Sequence, residues 1–365
     1  MNATYLITGG TGSLGRELIS RVLASDASAE AVVLIRGEDP GERNDKWEEI
    51  CRYLRHYGHE AILPRIRPVA GDVVLPSLGL SSADAACLLP RVTHVIHAAA
   101  NIQLNQPLET ARAINVWGVR RTLELAERCD RLERFAHIST SYVAGDRNGV
   151  IREEELDEGQ GFLNAYEQSK CEAEALVALH RGRLPITVFR PSIIVGDSRD
   201  GHTCNFGTLY HPLKRIAKGV LTEIPGDPHT PLDLVPVDYV ADCVARLTRD
   251  RHSEGRTYHI AAGARSSIPV GELVAATACF HRRKAPRFLA PLPRDRANSP
   301  RFGTFFAYLS GSKDFDDAAL RQDMGVEGGS CPDPRVYLRT LLAFCQATNW
   351  GLDLPWERTA HGVAA

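Results

Sequence analysis

Short apolar segments alternate with longer segments of helical spacing through the first half of the chain. After Thr4–Thr8, apolar residues recur at intervals of three and four over positions 14–23, which predicts a strand followed by a helix. This alternation favours a parallel sheet with helices on both faces, the doubly wound α/β architecture. The strands predicted in this half are Thr4–Thr8, Glu30–Gly37, Arg65–Asp72, Thr93–Ala100, Arg134–Ser141 and Pro185–Ser192.

The second half is less regular and richer in Pro, Gly and His. We therefore predict a sheet domain over 1–192 and a smaller, mostly helical substrate lobe over 193–365, with Thr257–Gly263 as a strand that returns to the main sheet. A polar insertion, Glu38–Pro64, is predicted to hold one helix, and Pro291–Phe302 to form a surface loop. The helices predicted in the lobe are Val237–Thr248, Val270–Phe280 and Pro334–Gln346.

The composition is that of an ordinary globular protein, with 365 residues, 44% hydrophobic content and a formal net charge of −2. Because no cluster of Lys and Arg is interleaved with aromatic residues, we expect no nucleic-acid partner. No apolar run approaches the roughly 20 residues that span a bilayer, and the N-terminus lacks signal-peptide features, so we expect a cytoplasmic protein without a transmembrane segment. The nine cysteines are scattered without a C-x-x-C pair, which predicts isolated thiols and no metal site.

Three glycines, Gly9, Gly12 and Gly15, lie between the first predicted strand and the first predicted helix. The N–H groups at a helix start are unpaired and the helix dipole is positive there, so a pyrophosphate can bind against backbone that carries no side chains. A simple turn would need only one glycine, and the second strand completes a βαβ unit. Arg36 ends that strand, and its guanidinium suits the 2′-phosphate of NADP, so we expect NADPH rather than NADH.

Tyr166 and Lys170 are four residues apart at the start of a predicted helix, which places both side chains on one helix face. An ammonium in this position can lower the tyrosine pKa and reach a ribose hydroxyl, so that Tyr166 donates a proton to a developing alkoxide. Taken alone, the pair is more typical of an amphipathic helix surface. The catalytic interpretation gains support from the hydroxyls of the "HISTSYVAG" segment, His137–Gly145, and from Asn115 at the head of another helix.

In their order and spacing, these features resemble the extended short-chain dehydrogenase/reductase superfamily. The resemblance is carried by the glycine loop, Asp72 after the third strand, "HAAA" at His97–Ala100, Asn115, the Ser/Thr strand end, and Tyr166 with Lys170. It implies an NADP-binding Rossmann domain over 1–192. The cofactor-binding residues that it implies are Thr8, Gly9, Gly12, Ser13, Leu14, Gly15, Arg36, Asp72, Val73, Ala98, Ala99, Tyr166, Lys170, Pro191 and Ser192.

The same resemblance implies particular catalytic roles. Thr140 and Tyr166 would hydrogen-bond the substrate oxygen, and Asn115 would hold a water or a backbone carbonyl in a proton relay behind Lys170. Asp72 and Val73 would flank the adenine. Ser139 and Ser141 are weaker candidates than Thr140 because side chains alternate along a strand. His137 is expected to be a core residue and not the catalytic base.

Within the superfamily, Phe189–His202 and "HISTSYVAG" resemble the thioester reductases and fatty acyl-CoA reductases. This resemblance implies that NADPH reduces the carbonyl carbon of an acyl thioester, giving an aldehyde and a thiol, with further reduction to an alcohol left open. No adenylation or carrier module precedes the first strand, so we expect the acyl group on a carrier protein from another polypeptide or on coenzyme A. Ser13 stands where thioester reductases commonly have phenylalanine, a difference expected to affect packing.

Two other functions stay open at this point. The same machinery would serve a reductase, epimerase or dehydratase that acts on a free carbonyl or a nucleotide sugar. Lys214, Arg215 and Lys218 suit the phosphates of a nucleotide sugar and of phosphopantetheine equally, so they do not discriminate. A dinucleotide sensor without catalytic activity is less favoured, because such modules typically lose the Tyr and Lys pair.

Overall fold

The computed structural model describes residues 2–290, 308–309 and 311–357. The predicted surface loop Pro291–Phe302 lies outside the described residues. Numbered along the chain, the strands are β1 (Thr4–Thr8), β2 (Glu30–Ile35), β3 (Ile66–Ala70), β4 (His94–His97), β5 (Arg134–Ile138), β6 (Gly149–Ile151), β7 (Ile186–Pro191), β8 (Ile193–Val195), β9 (Glu223–Pro225), β10 (Pro231–Leu232), β11 (Leu234–Pro236), β12 (Thr257–Ile260), β13 (Ile268–Pro269), β14 (Arg287–Leu289) and β15 (Lys313–Phe315).

Several of the described α-helices begin after a residue whose side chain caps the first turn. Asp39 accepts a hydrogen bond from the Glu42 N–H before one helix, and Asn164 accepts one from the Glu167 N–H before another. The helices are α1 (Ser13–Ala24), α2 (Pro40–His56), α3 (Ser82–Leu88), α4 (Leu108–Asn115), α5 (Trp117–Ala126), α6 (Ala165–Ala178), α7 (Tyr210–Ala217), α8 (Val237–Arg249), α9 (Gly263–Ser266), α10 (Val270–Phe280), α11 (Ala318–Gly328) and α12 (Pro334–Ala347).

Seven parallel strands form the central sheet in the order β3, β2, β1, β4, β5, β7, β12. The chain proceeds outward from β1 in one direction and then from β4 in the other. A ligand crevice is expected at the carboxyl ends of β1 and β4, where the direction reverses. The predicted doubly wound fold is therefore confirmed, and the strand predicted at Thr257–Gly263 lies at one edge of this sheet.

Helices bury both faces of the sheet. On one face, Ile7 and Phe189 pack in a cluster with residues of α1, α2 and α8. On the other face, Leu6 and Phe135 pack with residues of α5 and α6. The strands of such a sheet are apolar on both sides, which explains the continuous apolar runs in the sequence.

A second cluster of buried apolar residues lies in the C-terminal part of the chain. It includes Leu213 of α7, Leu273 of α10 and Leu341 of α12, with Ile224 of β9 between them. Pairs of short strands join this part together, for example β9 with β14 and β10 with β13. No helix in the described ranges has the length and apolar character needed to cross a membrane.

The six strands predicted in the first half are all present, but most are shorter than predicted at their carboxyl ends. The predicted strand Arg134–Ser141, for example, ends at Ile138. The residues that follow leave the sheet and form the wall of the cleft described below. In the predicted insertion Glu38–Pro64, α2 is followed by a 3₁₀ helix at Glu60–Arg65.

Candidate active site

A cleft of about 720 Å³ opens at the carboxyl ends of β1, β4, β5 and β7. At these carboxyl ends, the reversal in strand order leaves space between the helices. The cleft brings together many residues that the sequence indicated. Those lining it are Gly9, Gly12, Ser13, Leu14, Gly15, Ala98, Thr140, Tyr166, Lys170, Pro191 and Ser192.

The glycine loop lies flat against the end of the sheet. Gly9 has φ +75°, and a Cβ there would lie 2.6 Å from the backbone of Ala98. A Cβ on Gly15 would lie 2.1 Å from the Gly9 carbonyl oxygen. Gly12 caps α1 without a side-chain hydrogen bond, and a Cβ there would meet only the Gly9 oxygen at 3.4 Å. Gly9 and Gly15 are therefore required by packing, whereas Gly12 keeps the helix start bare toward the cleft.

Tyr166 and Lys170 project from the first turns of α6 into the cleft, as their spacing predicts. The Lys170 Nζ donates a hydrogen bond to the Ile138 carbonyl oxygen at 2.7 Å, and burial lowers the pKa of this ammonium to about 8. Burial raises the pKa of Tyr166 to about 12, with a hydrogen bond to Thr140 acting in the opposite direction. The expected lowering of the Tyr166 pKa by Lys170 is thus not found, because burial dominates at this phenol.

Thr140 follows β5, and its hydroxyl contacts backbone groups of neighbouring segments. Its Oγ accepts the Tyr142 N–H at 3.2 Å and donates a hydrogen bond to the Pro191 carbonyl oxygen at 3.4 Å, which is longer than the bonds of its neighbours. The neighbouring hydroxyls are occupied elsewhere, since Ser139 donates to Glu174 at 2.6 Å and Ser141 donates to the Arg190 carbonyl at 2.7 Å. This arrangement favours Thr140 among the three hydroxyls as the partner of Tyr166.

Asn115 is fully buried and is the last residue of α4, not at the head of a helix as predicted, because α5 begins only at Trp117. Its Oδ1 accepts the Asn101 N–H at 2.8 Å, and its Nδ2 donates to the Asn101 carbonyl at 3.0 Å and to Ser169 Oγ at 2.9 Å. Asn115 therefore binds a backbone carbonyl and ties the loop after β4 to α6. Its place in a proton relay behind Lys170 stays a prediction.

Thr8 and Ala99 lie just behind the lining of the cleft. The Thr8 Oγ accepts the Ala99 N–H at 3.3 Å and is hydrogen-bonded to His97 Nδ1 at 3.0 Å. These contacts fix the end of β4 against the end of β1. Both residues thus shape the backbone on which Gly9 rests.

The residues expected around the adenosine lie away from the lining of this cleft. Asp72 Oδ1 accepts the Val74 N–H at 3.0 Å, and Val73 is buried against Gly118. Arg36 is exposed at the end of β2. Their cofactor contacts stay predictions.

Two further cations approach Arg36 from α2, and we did not predict them. Arg43 donates to the Gly37 carbonyl at 2.8 Å, and Lys46 donates to the Arg36 carbonyl at 2.9 Å. Both residues belong to the insertion that follows β2. The sequence signal that could have indicated them is the presence of two cations in the first turns of the helix that follows β2.

His97 and His137 form a buried pair beneath the cleft. They face each other on the paired strands β4 and β5, with ring centroids 5.9 Å apart. Burial lowers the pKa of His97 to about 3 and that of His137 well below its usual value, and the nearby Lys170 acts in the same direction. Both imidazoles are therefore neutral, which agrees with the expectation that His137 is a core residue.

Other residues of the cleft wall, most of them from the C-terminal part, were missed by the sequence analysis. Arg16 of α1 lines the cleft and is ion-paired with Glu49 at 2.6 Å. Tyr308 stands against Tyr142 with ring centroids 5.0 Å apart and accepts a hydrogen bond from the Asn164 amide at 2.8 Å. Only the folded chain brings these residues together, since no local pattern links them. The other lining residues include Ile102, Leu104, Ile193, Ile194, Thr203, Cys204, Asn205, Leu209, Tyr210 and Leu354.

A buried ionic cluster holds the loop that leads into this wall. His202 is hydrogen-bonded to Asp200 at 2.7 Å and to Glu17 of α1 at 3.1 Å. Burial alone would lower the pKa of His202, but the two carboxylates outweigh it and raise the pKa to about 9. Glu17, Asp197 and His202 lie as close together as metal ligands do, but Tyr53, Asp200 and Arg199 already occupy their polar atoms.

The site combines three features: a crevice where the strand order reverses, a helix start without side chains, and the paired Tyr166 and Lys170. These features define an NAD(P)-binding protein of the extended short-chain dehydrogenase/reductase type. The chain belongs to the male sterility protein family, an NAD-binding family whose model matches residues 7–244. The superfamily resemblance drawn from the sequence is therefore confirmed.

Similar proteins point to the same class. The chain is 27% identical to the "Fatty acyl-CoA reductase wat" of Drosophila melanogaster, over 64% of this chain and 51% of that protein. It is 30% identical to a linear gramicidin synthase polypeptide of Brevibacillus parabrevis, over 70% of this chain and 5% of that protein. The chain thus spans about half the length of the first relative and a small part of the second.

A solved structure extends the likeness over nearly the whole fold. The "terminal R domain from the myxalamid PKS-NRPS biosynthetic pathway" superposes with a TM-score of 0.80 and 28% identity, covering 95% of this chain and 91% of that one. These relatives agree with the expected class of NAD(P)-dependent oxidoreductase.

Proposed function

We propose that this protein is an NADPH-dependent reductase of acyl thioesters that releases an aldehyde. The observation that carries the proposal is the placement of Tyr166, Lys170 and Thr140 in the same cleft as the glycine loop. The relatives that are named as a fatty acyl-CoA reductase and as a terminal R domain support the thioester substrate. Residues from 193 onward would supply part of the substrate side of the cleft.

The glycine loop fits a dinucleotide. Gly9 packs against the backbone after β4 and Gly15 packs against Gly9, while Gly12 leaves the start of α1 without a side chain toward the cleft. Ser13 and Leu14 would offer their N–H groups to the pyrophosphate. Arg36, with Arg43 beside it, would hold the 2′-phosphate, which is our reason for proposing NADPH over NADH.

When bound, NADPH would supply the hydride for the carbonyl carbon of the thioester. The chain's own groups would act on the carbonyl oxygen. Thr140 and Tyr166 would donate hydrogen bonds to that oxygen as negative charge develops on it. With its raised pKa, Tyr166 would stay protonated until it transfers its proton to the oxygen. The resulting hemithioacetal would then collapse: its C–S bond breaks and its hydroxyl proton passes to the leaving sulfur, which gives an aldehyde and a free thiol alongside NADP⁺.

Lys170 would serve two purposes in this reaction. Its ammonium lies one helical turn from Tyr166 and is anchored to the Ile138 carbonyl, so it would present a fixed positive charge to the cofactor ribose and the phenol. That charge would stabilise the tyrosinate left after proton transfer. The aromatic and aliphatic wall of Ile102, Leu104 and Tyr142 would receive the acyl group.

The test is NADPH oxidation by the purified protein with acyl-coenzyme A, acyl-pantetheine and acyl-carrier thioesters, followed by mass analysis of the product. Thioester-dependent oxidation with formation of an aldehyde or alcohol is the expected result. Oxidation with free carbonyl compounds or nucleotide sugars, and none with any thioester, would overturn the proposal. A parallel run with NADH measures the cofactor preference.

A further inference from the structure

Two basic segments that are distant in sequence meet on the surface of the C-terminal part of the chain. They are "KRIAKG", residues 214–219, and "HRRKAPR", residues 281–287, and neither contains an acidic residue. The Arg283 Nε donates a hydrogen bond to the Ala217 carbonyl at 3.1 Å, and the Arg287 N–H donates to the Thr222 carbonyl at 2.9 Å. The end of α7 and the chain after α10 therefore lie side by side.

The cations of these segments face solvent. We define the α7–α10 basic surface as Lys214, Lys218, Arg282, Arg283 and Lys284. All except the half-buried Lys214 are exposed. Within the described ranges, Lys218, Arg282, Arg283 and Lys284 have no acidic side chain within ion-pair distance. Nearby arginines do have such partners, as in the pairs of Arg287 with Glu223 and Arg335 with Glu272.

This concentration of charge contrasts with the chain as a whole, whose net charge is −2. Like charges on neighbouring exposed side chains repel each other, so such a surface favours a negatively charged partner. Val220, which is 61% exposed, follows Lys218 and Gly219 in the same turn. The surface therefore offers an apolar contact among its cations, as protein interfaces commonly do.

The α7–α10 basic surface lies one helix away from the cleft. The helix α7 begins at Tyr210, which lines the cleft and whose hydroxyl accepts the Gly196 N–H at 2.8 Å. Its eight residues span about 12 Å before Lys218 is reached. An extended phosphopantetheine arm is longer than this, so a partner seated on the surface could still place its thioester beside Tyr166.

We propose that the α7–α10 basic surface receives an acidic carrier protein that presents the acyl thioester to the cleft. The inference rests on the proposed function and specifies its substrate as carrier-borne. Charge complementarity over two segments and an exposed apolar residue fit a folded acidic partner. The diphosphate and 3′-phosphate of coenzyme A would engage only a few of these cations at once.

The test uses the double charge reversal Arg282→Glu/Lys284→Glu in the full chain. A matched control reverses the charges of Arg183 and Arg251, two exposed arginines just before β7 and β12. They lie at the amino ends of the strands, opposite the cleft. Both variants change the net charge equally. Each protein is assayed with an octanoyl group on pantetheine, on coenzyme A and on a bacterial type II acyl carrier protein. Binding of the holo-carrier protein is measured separately, without turnover.

We expect the Arg282 and Lys284 reversal to raise KM for the carrier substrate about tenfold and to weaken holo-carrier binding similarly. KM for octanoyl-pantetheine should stay unchanged, and the control variant should behave like wild type. An equal loss with octanoyl-coenzyme A would assign the surface to nucleotide phosphates and overturn the proposal, as would unchanged carrier kinetics and binding.

The separate binding measurement distinguishes the two proposals. If the wild type reduces no thioester, the proposed function fails, while charge-dependent binding of the holo-carrier would still support the surface. Binding of anionic phospholipid vesicles in place of the carrier, lost on the same reversal, would show that the surface serves a membrane and would overturn the inference.

Discussion

Lys170 of α6 donates a hydrogen bond to the carbonyl oxygen of Ile138, the last residue of β5, across 2.7 Å. This bond joins the helix that carries the proposed proton donor to the strand that precedes Thr140. The ammonium is buried, so its position is fixed and its charge acts through a medium of low polarity. The helix and the strand end are therefore held together at the cleft.

Replacing Tyr166 by Phe should lower kcat for thioester reduction by at least about 100-fold, because the proton donor to the carbonyl oxygen is removed. NADPH affinity should change little, since the ring and the neighbouring Lys170 remain. Stopped-flow turnover and fluorescence titration with NADPH measure the two effects. Turnover equal to that of the wild type would show that Tyr166 is not the acid.

Activity should fall as the pH rises through about 8, because burial lowers the pKa of Lys170 to about 8 and the proposed mechanism requires the ammonium. The folded-state pKa lies below the usual 10.5, so the buried charge also costs stability that returns as the pH rises from 8 to 10.5. The pH profile of kcat checks the first statement. Lys170→Met should remove the rise in stability between pH 8 and 10.5, which thermal melts measure. An activity plateau that extends beyond pH 9 would contradict the requirement for a charged Lys170.

Two alanine substitutions separate the glycines required by packing from Gly12, which we propose lies against the cofactor. Gly15→Ala should destabilise the fold by about 2 kcal/mol or more, because its Cβ would lie 2.1 Å from the Gly9 carbonyl oxygen. Gly12→Ala should leave the melting temperature nearly unchanged, since its Cβ meets only one atom at 3.4 Å, while weakening NADPH binding. Calorimetric melts and cofactor titrations distinguish them. Equal loss of stability in both would refute this division.

Arg36→Ala should weaken NADPH binding much more than NADH binding, because the guanidinium is proposed to hold the 2′-phosphate. Arg43→Ala should act in the same direction, more weakly, since this residue also caps the Gly37 carbonyl. Dissociation constants for both nucleotides, with Arg91→Ala as a surface control, give the comparison. An unchanged ratio of NADPH to NADH affinity in Arg36→Ala would show that the 2′-phosphate binds elsewhere.

Stability should fall as the pH rises through about 9, because Asp200 and Glu17 raise the pKa of His202 to that value. The folded pKa exceeds the usual 6.5, so the ion pairs contribute fully below pH 6.5 and are lost above 9. His202→Gln should cost about 3 kcal/mol at pH 6, since Glu17 loses a buried cation. Urea denaturation at pH 6 and pH 9.5 measures both. If His202→Gln lowers the free energy of unfolding equally at both pH values, the charge of His202 does not stabilise the fold.

Sequence alone was sufficient for the features that depend on local spacing. Alternating apolar runs and helical periods determined the doubly wound sheet, and the three glycines predicted where a dinucleotide would bind. Tyr166 and Lys170 share a helix face because their separation of four residues dictates it. Most strand ends were predicted too long, because small and polar residues such as Ser139 and Thr140 are compatible with a strand locally and leave the sheet only in the folded chain.

Only the tertiary structure decided what depends on distant residues. The Tyr166 pKa is raised and not lowered because burial by the whole fold outweighs the hydrogen bond to Thr140. The wall built by Tyr308 and the loop around His202 joins segments that share no local pattern. The α7–α10 basic surface arises for the same reason, since packing of two helices brings together charges that the sequence keeps far apart.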